Sequence, residues 1–346
     1  MKRITIKDLA QQLGVNPSTI SRALKDHPDI SPSLREQVKQ LADTLHYRPN
    51  HTAVNLRRRS SRLVGLIIPE TIMFFYPYLI KGIEHVLHRH GYSLIMLLSN
   101  DSLEREAENI QICFDNDVAG LMIAFSRETK NIHHLELMEE AGTPIVMFDK
   151  VLEEAAYDSV VLDDFSDAMM AVRHLVDTGC RRIAGIFGNL NMRITQLRLN
   201  GFTAALKQYG LPVSPDSIFF ADDPAQALEC ARLAMQAPQP PDGIFAMTDE
   251  IIVGALPGLL DSGIKIPDAC SIICMSDGIL PYFLRPQVTF LRHDGYEVGR
   301  MSAEQLCALI QNGEHLKPGY PGKQTVLQTE LVELATTRKR TDAIGS

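Results

Sequence analysis

The tightest constraint on what this chain can fold into is a helix stop and a helix start two residues apart. Ile6, Leu9, Ala10 and Leu13 recur at spacings of three and four, and Gly14 ends that run just before Asn16-Pro17 opens another. Thr5 precedes the first run with Asp8 three residues on, so its hydroxyl and that carboxylate can satisfy opposite unpaired donors of a helix start. Asn16 is a good cap for the second helix. Pro17 suits its first turn, because the N–H that proline lacks would be unpaired there anyway. Burying Ile20, Ala23 and Leu24 turns Pro17, Ser18, Ser21 and Arg22 outward, a small and polar face suited to base edges and phosphates. Ser31-Pro32 repeats the start signal, and Leu34, Val38, Leu41, Ala42 and Leu45 supply a third helix that closes a miniature core. Two helices joined by so tight a turn are a helix-turn-helix.

Charge separates this head from the rest. Residues 1–62 carry 12 Lys and Arg against 5 Asp and Glu, whereas the remainder carries 22 against 37, which together give the net charge of −8. A basic first sixth on an acidic body fits a nucleic-acid-binding head attached to a sensor that does not itself adhere to nucleic acid. The six cysteines are scattered without a CxxC pair, so they read as buried thiols in a reducing compartment. The chain opens MKRITIKD, with no apolar signal segment behind it, and no later run approaches the ~18 apolar residues of a membrane helix. A soluble cytoplasmic protein without membrane contact is expected.

From Leu63 onward short apolar runs alternate with amphipathic stretches, the pattern of βαβ units around parallel sheets. Strands are expected at 63–68, 93–98, 120–125 and 144–148, with helices near 76–90, 102–116 and 131–141. A crossing begins at 159–163, and a second series follows with strands at 182–187, 217–220, 243–247 and 271–274. Its helices fall near 165–178, 194–209, 224–236, 249–262 and 294–312, before a last strand at 325–331. The fold class is therefore α/β, an N-terminal helix-turn-helix headpiece followed by two doubly wound parallel-sheet lobes. The expected divisions are a DNA-binding domain at 1–48, a hinge helix and linker at 49–62, and a two-lobed domain at 63–346. Within the last, the first lobe takes about 63–160 plus a crossover segment and the second about 161–335.

The run TIKDLAQQLGVNPSTISRALKDHPDISPSLREQVKQLADTLHYRPN resembles the headpiece of the lactose/galactose repressor (LacI/GalR) family, and the later motifs follow in the same order. The resemblance implies a transcriptional regulator, most naturally a repressor, that holds a pseudo-palindromic operator as a homodimer. It makes Pro17, Ser18 and Arg22 the base readers, with Thr5, Asn16, Thr19, Ser21 and Tyr47 also facing DNA. It turns residues after Pro49 into a short hinge helix that folds against the minor groove, where Asn50, Ala53 and Asn55 contact the groove or the paired helix and Leu56 wedges between base pairs. It gives the two lobes a periplasmic-binding-protein architecture, with a small effector such as a sugar in the cleft. A cytoplasmic sugar-binding protein or sugar-processing enzyme on the same body is the other reading.

Cleft residues follow from strand ends, where parallel strands and helix N-termini converge. Asp149 follows IVMF and Asp277 follows IICMS, while Arg198 resembles the family's effector-clamping arginine, three residues before Gly201. Two carboxylates and a guanidinium suit a polyhydroxylated ligand. Phe75 and Tyr76 supply either an aromatic wall for stacking on a ring or a hydrophobic helix lead-in, and Ser126 and Thr248 complete the expected set. Thr248 stands where relatives commonly carry asparagine, and Ala124 where some carry an amide, so the pocket departs from the family's. His85, His88 and His90 read as a solvated helix face, with no metal or cofactor implied, and Asp249-Glu250 as a helix start favoured by the dipole. No nucleophile and base stand together, so catalysis is not expected.

Overall fold

The computed structural model describes residues 6–24, 26–45, 61–70, 75–152 and 155–339. It separates into two compact units, 1–62 and 63–346. The first holds α1 (Ile6–Leu13), α2 (Pro17–Ala23) and α3 (Pro32–Thr44). Leu9, Ala10, Ile20, Ala23, Ile30, Val38 and Ala42 form its core. Gly14 turns the chain at φ +65°, and the Val15 N–H closes the end of α1 by donating to the Ala10 carbonyl. Ser31 accepts from the Leu34 N–H at the start of α3. Asn16, expected to cap α2, makes no side-chain cap bond, and the helix start relies on Pro17.

The second unit is built on two six-stranded sheets. In chain order the elements are β1 (Leu63–Ile68), α4 (Phe75–Arg89), β2 (Ser93–Leu98), α5 (Leu103–Asp115), β3 (Gly120–Ile123), α6 (Glu136–Glu140), β4 (Ile145–Phe148) and β5 (Asp158–Leu162). There follow α7 (Asp164–Asp177), β6 (Ile183–Phe187), α8 (Arg193–Gln208), β7 (Ile218–Phe220), α9 (Pro224–Met235), β8 (Gly243–Ala246), α10 (Asp249–Asp261) and β9 (Ser271–Ser276). The last are α11 (Leu280–Phe283), β10 (Thr289–Arg292), α12 (Gly295–Asn312), β11 (Gln324–Leu327) and β12 (Glu330–Val332). The first sheet is parallel, in the order β11-β5-β4-β3-β1-β2. The second, β12-β10-β9-β8-β6-β7, is parallel except where β12 runs against β10.

Strands covered on both faces should be apolar throughout, and β1, β3, β4 and β6 are. Alternation still sorts their side chains: Leu66, Met122 and Val146 join α4 and α12 on one face, and Ile67, Leu121 and Met147 join α5 and α6 on the other. The α4–α12 contact is backbone-close. A Cβ on Gly82 would lie 2.2 Å from the Tyr296 carbonyl, and one on Gly299 would lie 2.1 Å from that of Leu79.

The chain passes between lobes three times: after β5, after β10, and between β11 and β12. Four elements differ from the sequence expectation. The single strand at 325–331 is two, β11 in the first sheet and β12 in the second, with Gln328-Thr329 between them. The segment 159–163 is largely β5, paired with β4 and β11, so the first lobe runs through Leu162 rather than ending near 160. Strand β10 has no counterpart among the expected strands; directly after it the chain returns to the first lobe, where α12 packs on α4. The helix expected near 131–141 is shorter, a 3-10 turn at His133–Leu135 running into α6.

Candidate functional site

In the headpiece, packing of Ile20 and Ala23 fixes which side of α2 remains outside. Asn16, Pro17, Ser18 and Arg22 are exposed, and Thr19 and Ser21 are half-buried. The face is small, polar and cationic at one point, the chemistry that fits a major groove. Behind it Arg35 bonds to the His27 and Ile30 carbonyls, and Lys39 pairs with Asp26 at 2.7 Å, which fixes the α2–α3 connection. Thr5, Tyr47, Asn50, Ala53, Asn55, Leu56 and the whole stretch expected to form the hinge helix lie outside the described residues.

In the second unit two cavities adjoin between the lobes, sharing Asp149, Val161, Leu162, Asp164 and Ile194 in their walls. An inner cavity of about 150 Å³ is lined by Phe75, Asp149, Asp164, Ile194, Arg198, Thr248, Asp249, Asp277 and His293, among others. An outer cavity of about 350 Å³ shares Asp149, Asp164 and Ile194 with it and adds Ser126, Arg127, Lys150, Asn191 and Arg193. Five of the seven expected cleft residues, Phe75, Asp149, Arg198, Thr248 and Asp277, thus meet at the inner cavity, and Ser126 lines the outer one.

Tyr76 is not wall but support. It is buried, packs edge-on against Phe75, and donates its hydroxyl hydrogen to Asp149 Oδ2 at 2.7 Å. Burial, with the Asp149 charge beside it, raises the Tyr76 hydroxyl well above the ordinary range, so it stays a donor. Asp149 itself sits at φ +57°, a left-handed conformation that aspartate tolerates better than most residues. Burial raises its carboxyl too. Ser126 bonds to Thr129, and both are held by Glu106, which is fully buried and also meets His134 at 2.8 Å.

Arg198 is less free than the expected clamp. Its Nε donates to Asp164 Oδ1 at 2.7 Å, one terminal nitrogen donates to the Met247 carbonyl, and the other reaches His293 Nδ1 at 3.2 Å. A guanidinium can only donate, so Nδ1 accepts and Nε2 carries the proton directed at Asp167, 3.2 Å away. Asp167 also accepts from the Thr329 hydroxyl at 2.6 Å. Asp164 and Asp167 follow the first passage between lobes, His293 lies in the second and Thr329 in the third. One buried network therefore ties all three passages to the guanidinium in the cleft.

Thr248 caps α10, accepting from the Ile251 N–H at 3.3 Å, so its oxygen is partly spent on the helix. The residue after it, read from the sequence only as a helix start, also lines the cavity. Asp249 is 8% exposed; one of its oxygens takes the Asp277 N–H at 3.3 Å, and Oδ1 has no partner among the described residues. Asp277 spends Oδ1 on the Ile279 N–H and leaves Oδ2 unpartnered. Burial, then repulsion from Asp277, pushes Asp249 up to about 7, while burial pushes Asp277 up to about 6. The one signal that could have found Asp249 is its position immediately after a strand at the same end of the sheet as Asp277.

Known proteins share both units. Residues 5–50 match the model of bacterial regulatory proteins of the lacI family, and residues 61–316 match that of periplasmic binding proteins and the sugar-binding domain of the same family. The chain belongs to the LacI family. The ribose operon repressor of Bacillus subtilis is 30% identical over 338 residues, covering 97% of this chain and 99% of the relative. The transcriptional repressor CytR of Escherichia coli is 28% identical, covering 96% of each. The lac repressor dimer bound to operator and an anti-inducer shares the fold at a TM-score of 0.85 and 22% identity, covering 98% of this chain and 100% of that one. This LacI-family protein is a DNA-binding transcriptional regulator with an effector-binding body, and α2 is its helix-turn-helix second helix. Among the described residues no helix is long and apolar enough to cross a membrane.

Proposed function

We propose that this regulator represses transcription as a homodimer on a pseudo-palindromic operator, and that a small hydroxylated effector in the inter-lobe cleft sets its DNA affinity. Asp149 from the first lobe and Arg198 and Asp277 from the second converge on one cavity, and that convergence carries the reading. A ligand touching both lobes favours one lobe arrangement over another, and only such differential affinity can move a second equilibrium. The divisions 1–48, 49–62 and 63–346 then serve as reader, hinge and sensor. Arg22, Ser18 and Pro17 read bases, while Thr5, Asn16, Thr19, Ser21 and Tyr47 hold the backbone. The hinge residues Asn50, Ala53, Asn55 and Leu56 engage the minor groove.

Exposed apolar side chains support the dimer. Met96 and Leu98 on edge strand β2 adjoin α5 with Ile112 and Phe114, and edge strand β7 and α9 expose Phe220 and Leu233. Exposed apolar groups on an unpaired sheet edge are a place for a partner. We further propose that the protein acts in the cytoplasm and performs no catalysis. Selecting operator DNA with the purified protein, then titrating candidate effectors against that complex, tests the reading. A selected site without two-fold symmetry, or a cleft ligand that leaves DNA affinity unchanged, would overturn it.

A further inference from the structure

Among the charged groups lining the inner cavity, carboxylates outnumber cations. Asp149, Asp164, Asp249 and Asp277 face it, against Arg198 and His293. Arg198 is neutralised by Asp164, and His293 is bonded through both ring nitrogens. What remains toward a ligand is chiefly acceptor capacity. Asp249 Oδ1 is buried and unpartnered, and Asp277 Oδ2, on the neighbouring strand end, is unpartnered as well. A buried carboxylate oxygen without a donor is costly unless something else supplies one. Among the described residues no group of three His, Cys, Asp or Glu could hold a metal ion, and a cationic N–H donor would both fill the two oxygens and offset the carboxylate excess.

Resting on the effector-cleft reading above, we propose that the inner cavity takes a protonated primary amine on a small hydroxylated ring, an amino sugar being the simplest member of the class. The ammonium sits between Asp249 and Asp277 and donates to both free oxygens. Asp149, held by Tyr76, and the outer cavity meet the ring hydroxyls. Both aspartates are pushed up by burial, to about 7 and about 6, and an ammonium would restore their charge. A neutral sugar can donate hydroxyl hydrogens to these oxygens but brings no positive charge to offset the carboxylates, and a phosphate would add negative charge to a cavity already rich in them.

The full-length protein is titrated by calorimetry and thermal shift at neutral pH with glucosamine, galactosamine and mannosamine, each beside its neutral parent and its N-acetyl derivative. At least one amine should bind about tenfold or more tightly than both its parent and its acetylated form, the difference charged hydrogen bonds typically make. Asp249→Asn and Asp277→Asn should each bring that ratio close to one, and the second serves if the first fails to fold. Equal or tighter binding of a neutral parent, a ratio that survives in the folded variants, or no amine binding at all would overturn the inference. If a neutral or anionic ligand binds the cleft and changes operator affinity, the regulatory reading stands and this one falls. If an amine binds with the expected ratio but operator affinity does not respond, the reverse holds.

Discussion

At neighbouring strand ends Asp249 and Asp277 are brought together, the Asp277 N–H donating to an Asp249 oxygen at 3.3 Å. The place of Asp249 at the start of α10 suggests a helix-dipole carboxylate, and it does stand there; what the sequence hides is that β9 brings Asp277, 28 residues on, against it. Its ordinary value near 3.9 is raised by burial and the Asp277 charge to about 7, and that of Asp277 by burial to about 6. Raised carboxylates bind protons more tightly folded than unfolded. Stability should therefore be highest below about pH 4 as far as these two are concerned, and fall as pH rises toward 7. Chemical denaturation across that window, wild type against Asp249→Asn, should show a shallower fall in the variant, and parallel curves would refute the assignment. Resemblance points to Arg198, but its partners Asp164 and His293 lie 34 and 95 residues away, beyond any local pattern. Arg198→Ala strands a buried carboxylate, so it should cost about 3–5 kcal/mol of stability besides any loss of effector response. Urea unfolding measures that directly.

Elements are easiest to read where strands run through the middle of a sheet, because continuous apolar runs as short as LVGLII and SIICMS suit a strand covered on both faces and little else. Passages between lobes are hardest. Strands β10 and β12 have 4 and 3 residues, too short for a period to register, and 325–331 reads as one strand although the chain changes sheets at Gln328-Thr329. What identifies the passages is the Asp167–His293–Thr329 contact, which exists only after folding. Helix pairing is hidden too, since nothing local marks Gly82 as a contact point. In α4 its missing Cβ lets the Tyr296 carbonyl and the Arg300 N–H of α12 approach within 2.2 and 2.9 Å of where that atom would be. Both are backbone atoms and cannot swing aside. Gly82→Ala should force α4 and α12 apart and cost about 1–3 kcal/mol, as overpacking generally does. A thermal midpoint at or above wild type would show that the pair yields freely.

At the scale of the whole molecule the division of charge has a consequence for affinity. The head carries 12 basic against 5 acidic residues and the body 22 against 37, so the body cannot contribute phosphate contacts without first overcoming its own repulsion. DNA affinity then comes from the head, each phosphate it neutralises adding about −0.9 to the slope of log K against log salt. If the body pairs two copies, two heads bind one operator and the second engagement is intramolecular. Such linkage raises affinity by about 10²–10⁴ without any new contact. A fragment of residues 1–62 should accordingly bind an operator at least a hundredfold more weakly than the full chain, with about half its salt slope, while residues 63–346 should not bind at all. Electrophoretic mobility titrations of the three proteins at several salt concentrations measure each quantity. Equal affinity and slope for the fragment and the full chain would mean that the body adds neither a second head nor any gain from pairing, and the dimeric reading would fail there.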